Sequence, residues 1–487
     1  MLPRTLPRKL SVALSLAIAS LSGAACADTA DFGLTVQQML ETKSKKLFGV
    51  EHPLGASAPA TTGAYRNPSQ TAADQILAAD GLTVEYLTRS AANHTDMMAF
   101  YPANNPTHLI SCVEGSLETL ASGKLNPAVQ SINLASGEVK TLLRGMDRCD
   151  GIRTTPWGTI LATEETDDGG AYELLDPLNV SELSVTDRAT GAVSDPAHVA
   201  KRSALPTMAW EGLEVLTNGV VIGGDELRPG SPANADGGAM FKFVPVAARV
   251  ADAGAITDLS QSPLVAGSVY ALQVSCRDTT QQYGQGCEIG NAAWITVGAT
   301  TARADANTNG ATGYYRPEDL HLDPLYFDAA NPDAVRFCWT NTGSESAKNY
   351  AEVVCGVDSA PLTASSTQRT VVVNRFVEGD TDFNSFDNLA FQPVTGNLYV
   401  IEDHNNGDIF ACLPDGADRD IKTDGCVKIL SVKDSSAEPT GFLFSPDGKT
   451  AYVSIQHSDD TLMTNVDDYA TDDIIKITGF KIKPHQE

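Results

Sequence analysis

The chain has 487 residues, of which 42% are hydrophobic and 20% charged, with a formal net charge of -27 at pH 7. That hydrophobic fraction belongs to a folded globular protein and excludes disorder, while the acid excess excludes nucleic acid and anionic membranes as partners, since both need a basic footprint. Cations are the natural partners; an acid excess also serves plain solubility, so the placement of the acids has to decide.

Residues 1–27 read as a secretory signal peptide. Arg4, Arg8 and Lys9 form a basic start, an apolar run extends from Leu10 to about Leu21, and Ala25-Cys26-Ala27 is a small-residue cleavage site. A lipoprotein reading through Cys26 is weaker, because Gly23 stands where an aliphatic residue is wanted. Cleavage near Asp28 removes three cations and no acid, taking the charge from -27 to -30. No later apolar run reaches the roughly 18 residues of a membrane span. A Sec-type exported protein, periplasmic or extracellular, is expected. Residues 28–80 read as an N-terminal segment and linker with one amphipathic helix, VQQMLETKSKKLF.

From about residue 81 one pattern recurs: an acid opens an alternating strand, a turn with Pro, Asn or Gly follows, and a second apolar strand ends in an acid or amide. Asp96 leads to Glu114, and Asp150 to Glu164 and Glu165. Glu211 leads to Asp225 and Glu226, and Glu318 to Asn341. Asp387 leads to Glu402 and Asp403, and Glu438 to Gln456 and His457. The turns SPDG, LTNG and VTGN supply the residues that tight reversals need. Third strands follow in GAMFKFVP, GDIFACLP and DDIIKITGF.

Such hairpins cannot bury their faces alone. Copies must pack side by side, and a ring closes the stack without long free edges. The fold expected is all-β: a six-bladed β-propeller over 81–487, with loop insertions, the largest at about 246–312, and a short N-terminal helix. The strand at about 82–90 is expected to pair with DDIIKITGF and seal the ring. A monomer is the default for a closed ring.

In a propeller the first strand of each blade runs along the axis, so acids at six strand starts converge on one channel. Carboxylates that close must hold protons or bind cations. Asp, Glu and Asn without a His cluster favour hard cations such as Ca2+. Glu211, Glu318, Asp387 and Glu438 carry this expectation furthest; Asp96 and Asp150 read equally well as turn or cap residues. After Cys26 is removed, eight cysteines remain, an even number suited to an oxidising compartment. Cys276 with Cys287, Cys338 with Cys355 and Cys412 with Cys426 are close enough in sequence to read as disulfides. Cys112 and Cys149 are left, either paired or with one of them a thiolate ligand.

The segments CDGIRTTPWGTILATEE, YYRPEDLHLDP, FDNLAFQPVTGNLYVIED and EPTGFLFSPDGKTAYVSIQH resemble the PhoX family of secreted alkaline phosphatases, over about 93 to 480. The resemblance implies iron and calcium at the axis and hydrolysis of small phosphate monoesters. It implies Cys149 as the iron-binding thiolate, with Glu211, Glu226, Glu318, Asp387 and Glu438 among the metal ligands. It also implies Arg316 as a phosphate clamp, in keeping with the bidentate match of guanidinium to phosphate. Glu164 and Glu165 are placed to complete the Cys149 site, and His457 to donate a proton or contact phosphate.

The chain also departs from that family. Its leader lacks a twin-arginine motif, Trp210 stands where the family often has His, and LISCVEG replaces a His-Glu ending. A Cys112–Cys149 disulfide would leave no thiolate for iron. Two rival functions stand beside phosphatase: a non-catalytic calcium-binding propeller, and a lactonase-like propeller in which Glu211, Asn388 and Asp403 hold one axial divalent ion.

Overall fold

Alternating β-branched and aromatic residues about short turns make every acid-led segment an antiparallel hairpin in the computed structural model, which describes residues 32–61, 65–230, 236–250, 253–274, 288–414 and 425–482. The expected leader, Cys26 and the Cys276–Cys287 pairing lie outside the described residues. Six leading strands, Thr95–Tyr101, Cys149–Thr154, Trp210–Val215, Pro317–Leu322, Phe386–Phe391 and Glu438–Phe444, each pair with the strand that returns after the turn. The protein is all-β with few helices, the longest among the described residues being Phe32–Leu47. Among the described residues no helix is long and apolar enough to cross a membrane.

Hydrogen bonding gathers the described strands into five sheets, not six. The Glu211 and Glu318 hairpins share one nine-stranded sheet, because Gly290–Val297 pairs at one end with Val371–Glu378. Segment 246–312 thus supplies two strands, Gly267–Val274 and Gly290–Val297, to the Glu211 hairpin, and adds the helix Ala302–Asn309. The arrangement is propeller-like: each leading strand contacts the next in chain order, and the Glu438 strand contacts the Asp96 strand.

Burial follows the same cycle. Each apolar cluster is shared by consecutive hairpins: Ile110 and Val129 pack with Ile152 and Ala162, Leu161 with Leu213 and Phe241, and Ile222 with Leu320 and Phe337. Val353 and Phe376 pack with Leu389, Tyr399 with Phe442 and Val453, and Phe100 with Tyr452. At roughly 1.5–3 kcal/mol for a fully buried large apolar side chain, these interfaces hold the hairpins side by side. The N-terminal helix adds Val36 and Leu40 to the cluster under the Asp387 and Glu438 hairpins.

Closure is by hydrogen bonds between the chain's ends. Thr83–Ala92 pairs antiparallel with Thr471–Thr478, as the sequence suggests, so the earliest long strand lies beside the last one. Arg66 and Arg89 both bind Asp473 on that last strand, at 2.7 and 3.0 Å.

One local device positions the acids. The register shifts inside all six leading hairpins, and in five of them the shift brackets the leading acid and the residue after it, as between Cys149 and Ile152 or Trp210 and Leu213. A β-bulge breaks the strict alternation of faces. The residue after the acid lies against the neighbouring leading strand, where space is short. A Cβ on Gly151 would lie 2.0 Å from the Glu211 carbonyl oxygen, and one on Gly212 2.1 Å from the Leu320 nitrogen. In the sixth hairpin the shift lies between Thr440 and Leu443. Gly441 therefore takes the leading position, and Glu438 stands three residues upstream of it.

Candidate metal centre on the axis

Five leading acids and two closing acids form one continuous arc. Oxygens of Asp96, Glu114 and Asp150 lie within 4.8 Å of one another; so do those of Asp150, Glu165 and Glu211, and those of Glu211, Glu318 and Asp387. Asp150 and Glu211 each belong to two of these groups, so the sites are contiguous. Asp96 and Asp150, which the sequence left open between turn and channel, stand in the channel.

Burial among like charges raises six of these acids. Desolvation is the largest cause for Asp96, which is pushed up to about 8, with the Glu114 charge next. Desolvation and neighbouring carboxylates likewise hold Asp150, Glu165, Glu211 and Asp387 well above the usual range. Glu318 is raised by burial against the opposing pull of Arg316. A cation-free ring must therefore keep protons here; cations would replace them.

Two arginines meet the arc, each two residues before a leading acid and each in left-handed backbone: Arg148 with φ 52° and Arg316 with φ 57°. Arg316 is committed on every side. Its Nε binds Glu226, its Nη2 lies 3.0 Å from Glu318, and its Nη1 lies 3.6 Å from Asp403. Arg148 reaches Glu114 at 2.6 Å and Glu165 at 3.2 Å, both through Nη1. At the remaining side of the ring, Glu438 lies 3.1 Å from His457. Burial opposes protonation of His457, but Glu438 and nearby acids outweigh it and raise the imidazole to about 9. His94 packs edge-on against His457 with ring centroids 4.7 Å apart.

The closing acids divide by the two-residue strand period. Where they come as doublets, only the second faces the arc or Arg316: Glu165, Glu226 and Asp403. The first turns away and ties loops together. Glu164 is fully buried, accepts from the Asp147 and Gly170 amides at 3.0 Å, and pairs with Arg188 at 2.7 Å. Asp225 accepts from the Ala209 amide and Arg303, and Glu402 from the Asn384 and Asp408 amides. Expected as a metal ligand, Glu164 is instead a loop anchor.

Two further expectations change. Cys149 is bonded to Cys112, so no thiolate is present to hold iron; both are buried, and the bond ties the Asp150 leading strand to the return strand of the first hairpin. Cys338–Cys355 and Cys412–Cys426 form as expected. The Asn388 Oδ1 accepts from the Thr440 hydroxyl and the Gly441 amide, bridging two leading strands. The Asn388 oxygen expected as an ion ligand is thus engaged by protein donors. All-oxygen carboxylate groups fit hard cations such as Ca2+; a thiolate-bound iron does not fit.

Sequence reasoning missed Arg148, although its spacing in Arg-Cys-Asp matches that of Arg316 in Arg-Pro-Glu. It named Glu114 only as a closing acid and passed over His94.

Residues 233–459 match the family model described as alkaline phosphatase PhoX. Among solved structures, the chain is similar to Pseudomonas fluorescens PhoX in complex with vanadate, a transition state analogue, with a TM-score of 0.54 and 16% identity over 87% of this chain and 97% of that one. A putative gluconolactonase aligns with a TM-score of 0.39 and 9% identity over 86% and 97% of the two chains. The PQQ-bound aldose sugar dehydrogenase of Streptomyces coelicolor aligns with a TM-score of 0.36 and 10% identity over 82% and 98%. No curated protein matches the sequence.

Proposed function

We propose that this chain, a PhoX-family protein through residues 233–459, is an exported phosphatase that hydrolyses phosphate monoesters at a multi-cation centre on its axis. The observation that carries the reading is the contiguous arc of carboxylates from Asp96 to Asp387, met by Arg316 inside the segment that matches the family. A scaffold needs cations but no guanidinium, and a lactonase trio would need the Asn388 oxygen that Thr440 and Gly441 engage. The cyclic contact of six leading strands supports reading the nine-stranded sheet as two blades, giving six in all.

Calcium ions held by the arc would polarise a phosphoryl group and neutralise charge on the leaving oxygen. The chain's own residues do the rest. Glu211 and Asp150, each shared between two groups, would each serve two neighbouring cations. Arg316, set by Glu226, Glu318 and Asp403, supplies a fixed positive charge for the phosphate oxygens. His457, protonated at neutral pH beside Glu438, is the group for proton delivery to the leaving oxygen. Asp403 and Glu226 complete the wall around Arg316. The three disulfides among the described residues support a compartment outside the cytoplasm, and the closed ring supports a monomer.

The test is hydrolysis of a chromogenic phosphomonoester above pH 8, abolished by chelator and restored by calcium. Glu211→Gln is expected to lower kcat/KM by about 100-fold or more, as for removal of one charge-stabilising group. Cation-replete protein that opens lactones and leaves phosphomonoesters intact would reject the reading.

A further inference from the structure

Resting on the phosphatase reading, we infer that Arg148 is the residue that receives the phosphoryl oxygens of an incoming monoester, as the open partner of the fully engaged Arg316. The two arginines differ in what they have left to give. All three nitrogens of the Arg316 guanidinium face protein carboxylates and its side chain is 15% exposed. Arg148 is 45% exposed and spends only Nη1 on Glu114 and Glu165. Its Nε and Nη2 make no hydrogen bond among the described residues, so one edge of the fork stays open to solvent.

The backbone beneath it is fixed. The Arg148 amide donates to the Gly115 carbonyl and its carbonyl accepts from the Glu165 amide, at 3.1 and 2.8 Å. This joins the first and second hairpins directly below the side chain, and the left-handed φ carries the chain into Cys149 and Asp150 at the same offset by which Arg316 precedes Glu318. A planar fork on a rigid base loses little freedom on binding a tetrahedral oxyanion.

The acids that hold Arg148 are themselves members of the arc: Glu114 groups with Asp96 and Asp150, and Glu165 with Asp150 and Glu211. Cations bound there would compete for the oxygens that Nη1 now occupies, releasing more of the guanidinium toward an anion. Cation loading and phosphate binding are thereby linked through one side chain. An oxyanion at this point would meet the arc beside Glu114 and Glu165, as Arg316 meets it beside Glu226 and Glu318, and a dianionic monoester would gain from the two positive charges more than a monoanionic diester.

The test measures inorganic phosphate binding to the calcium-loaded protein by calorimetry, alongside turnover of a phosphomonoester and a phosphodiester. Arg148→Ala is expected to weaken phosphate by about 10- to 100-fold, the range for a charged hydrogen-bonding pair, with calcium content unchanged. Monoester kcat/KM should fall more than that for the diester, and added guanidinium ion should restore part of the loss. Phosphate affinity within twofold of wild type in folded Arg148→Ala overturns the assignment. Should that variant fail to fold, Arg148→Lys keeps the charge and loses the fork; about threefold weaker phosphate binding there supports the role, and unchanged affinity overturns it. Wild-type protein that binds phosphate through Arg148 yet hydrolyses no ester would sink the phosphatase reading and leave the binding role standing.

Discussion

Removing cations should destabilise the ring in a way that depends on pH, and the sign follows from the arc. In the cation-free protein Asp96 rises from 3.8 to about 8 through burial and the Glu114 charge. One unit corresponds to about 1.4 kcal/mol, so ionising Asp96 in the folded ring costs on the order of 6 kcal/mol. Because Glu114 is part of the cause, this figure does not add to those of the neighbouring acids. A carboxyl raised on folding favours the fold while protonated, and that contribution is lost as pH climbs from about 4 through 8. Calcium replaces the protons and removes the dependence. The measurement is thermal unfolding in chelator and in calcium at pH 5.5 and pH 9. The calcium-induced gain in Tm should be several degrees larger at pH 9, given about 2–4 °C per kcal/mol in domains of 150–250 residues and less in a longer chain. An equal gain at both pH values, or none, refutes the argument that these carboxylates are crowded and ionised only with cations.

Three other outcomes check the framework. Asp358→Asn leaves Lys242, buried and otherwise paired at 2.8 Å, without its counter-charge where the Glu211 and Glu318 hairpins meet; denaturant titration should show a loss of about 3–5 kcal/mol. Gly212→Ala places a methyl 2.1 Å from the Leu320 nitrogen and should lower Tm sharply or abolish soluble expression, while Gly55→Ala, which meets nothing within 4 Å, should leave Tm unchanged. Replacing both Cys112 and Cys149 with Ser should cost about 2–4 kcal/mol of stability and leave the metal content measured by elemental analysis as it was; loss of bound iron would show that Cys149 is a ligand after all.

Much of the ring was legible before any coordinates, because its physics is local. The alternation of apolar residues and the turns LTNG, VTGN and SPDG specify hairpins, and hairpins with two apolar faces must stack. Recurrence of an acid at each strand start then pointed to a shared channel, and Glu211, Glu318 and Asp387 stand in it. Glu438 was assigned from the same alignment of acids, but the register shift of its hairpin falls three residues later, which moves it from the arc to His457.

What the chain's sequence determined by itself was strand content, turn positions, the convergence of leading acids, and two of the three described disulfides, since each depends on residues near one another along the chain. Tertiary structure alone decided which member of each acid doublet faces the axis, that Cys149 is bonded to Cys112, that two hairpins share a sheet, and that Arg148 rather than Arg316 keeps an open edge. Those outcomes depend on bulges that shift facing by one residue and on contacts between hairpins some tens of residues apart. Neither is encoded in the spacing of residue types, because a one-residue change of register reverses which side chains meet.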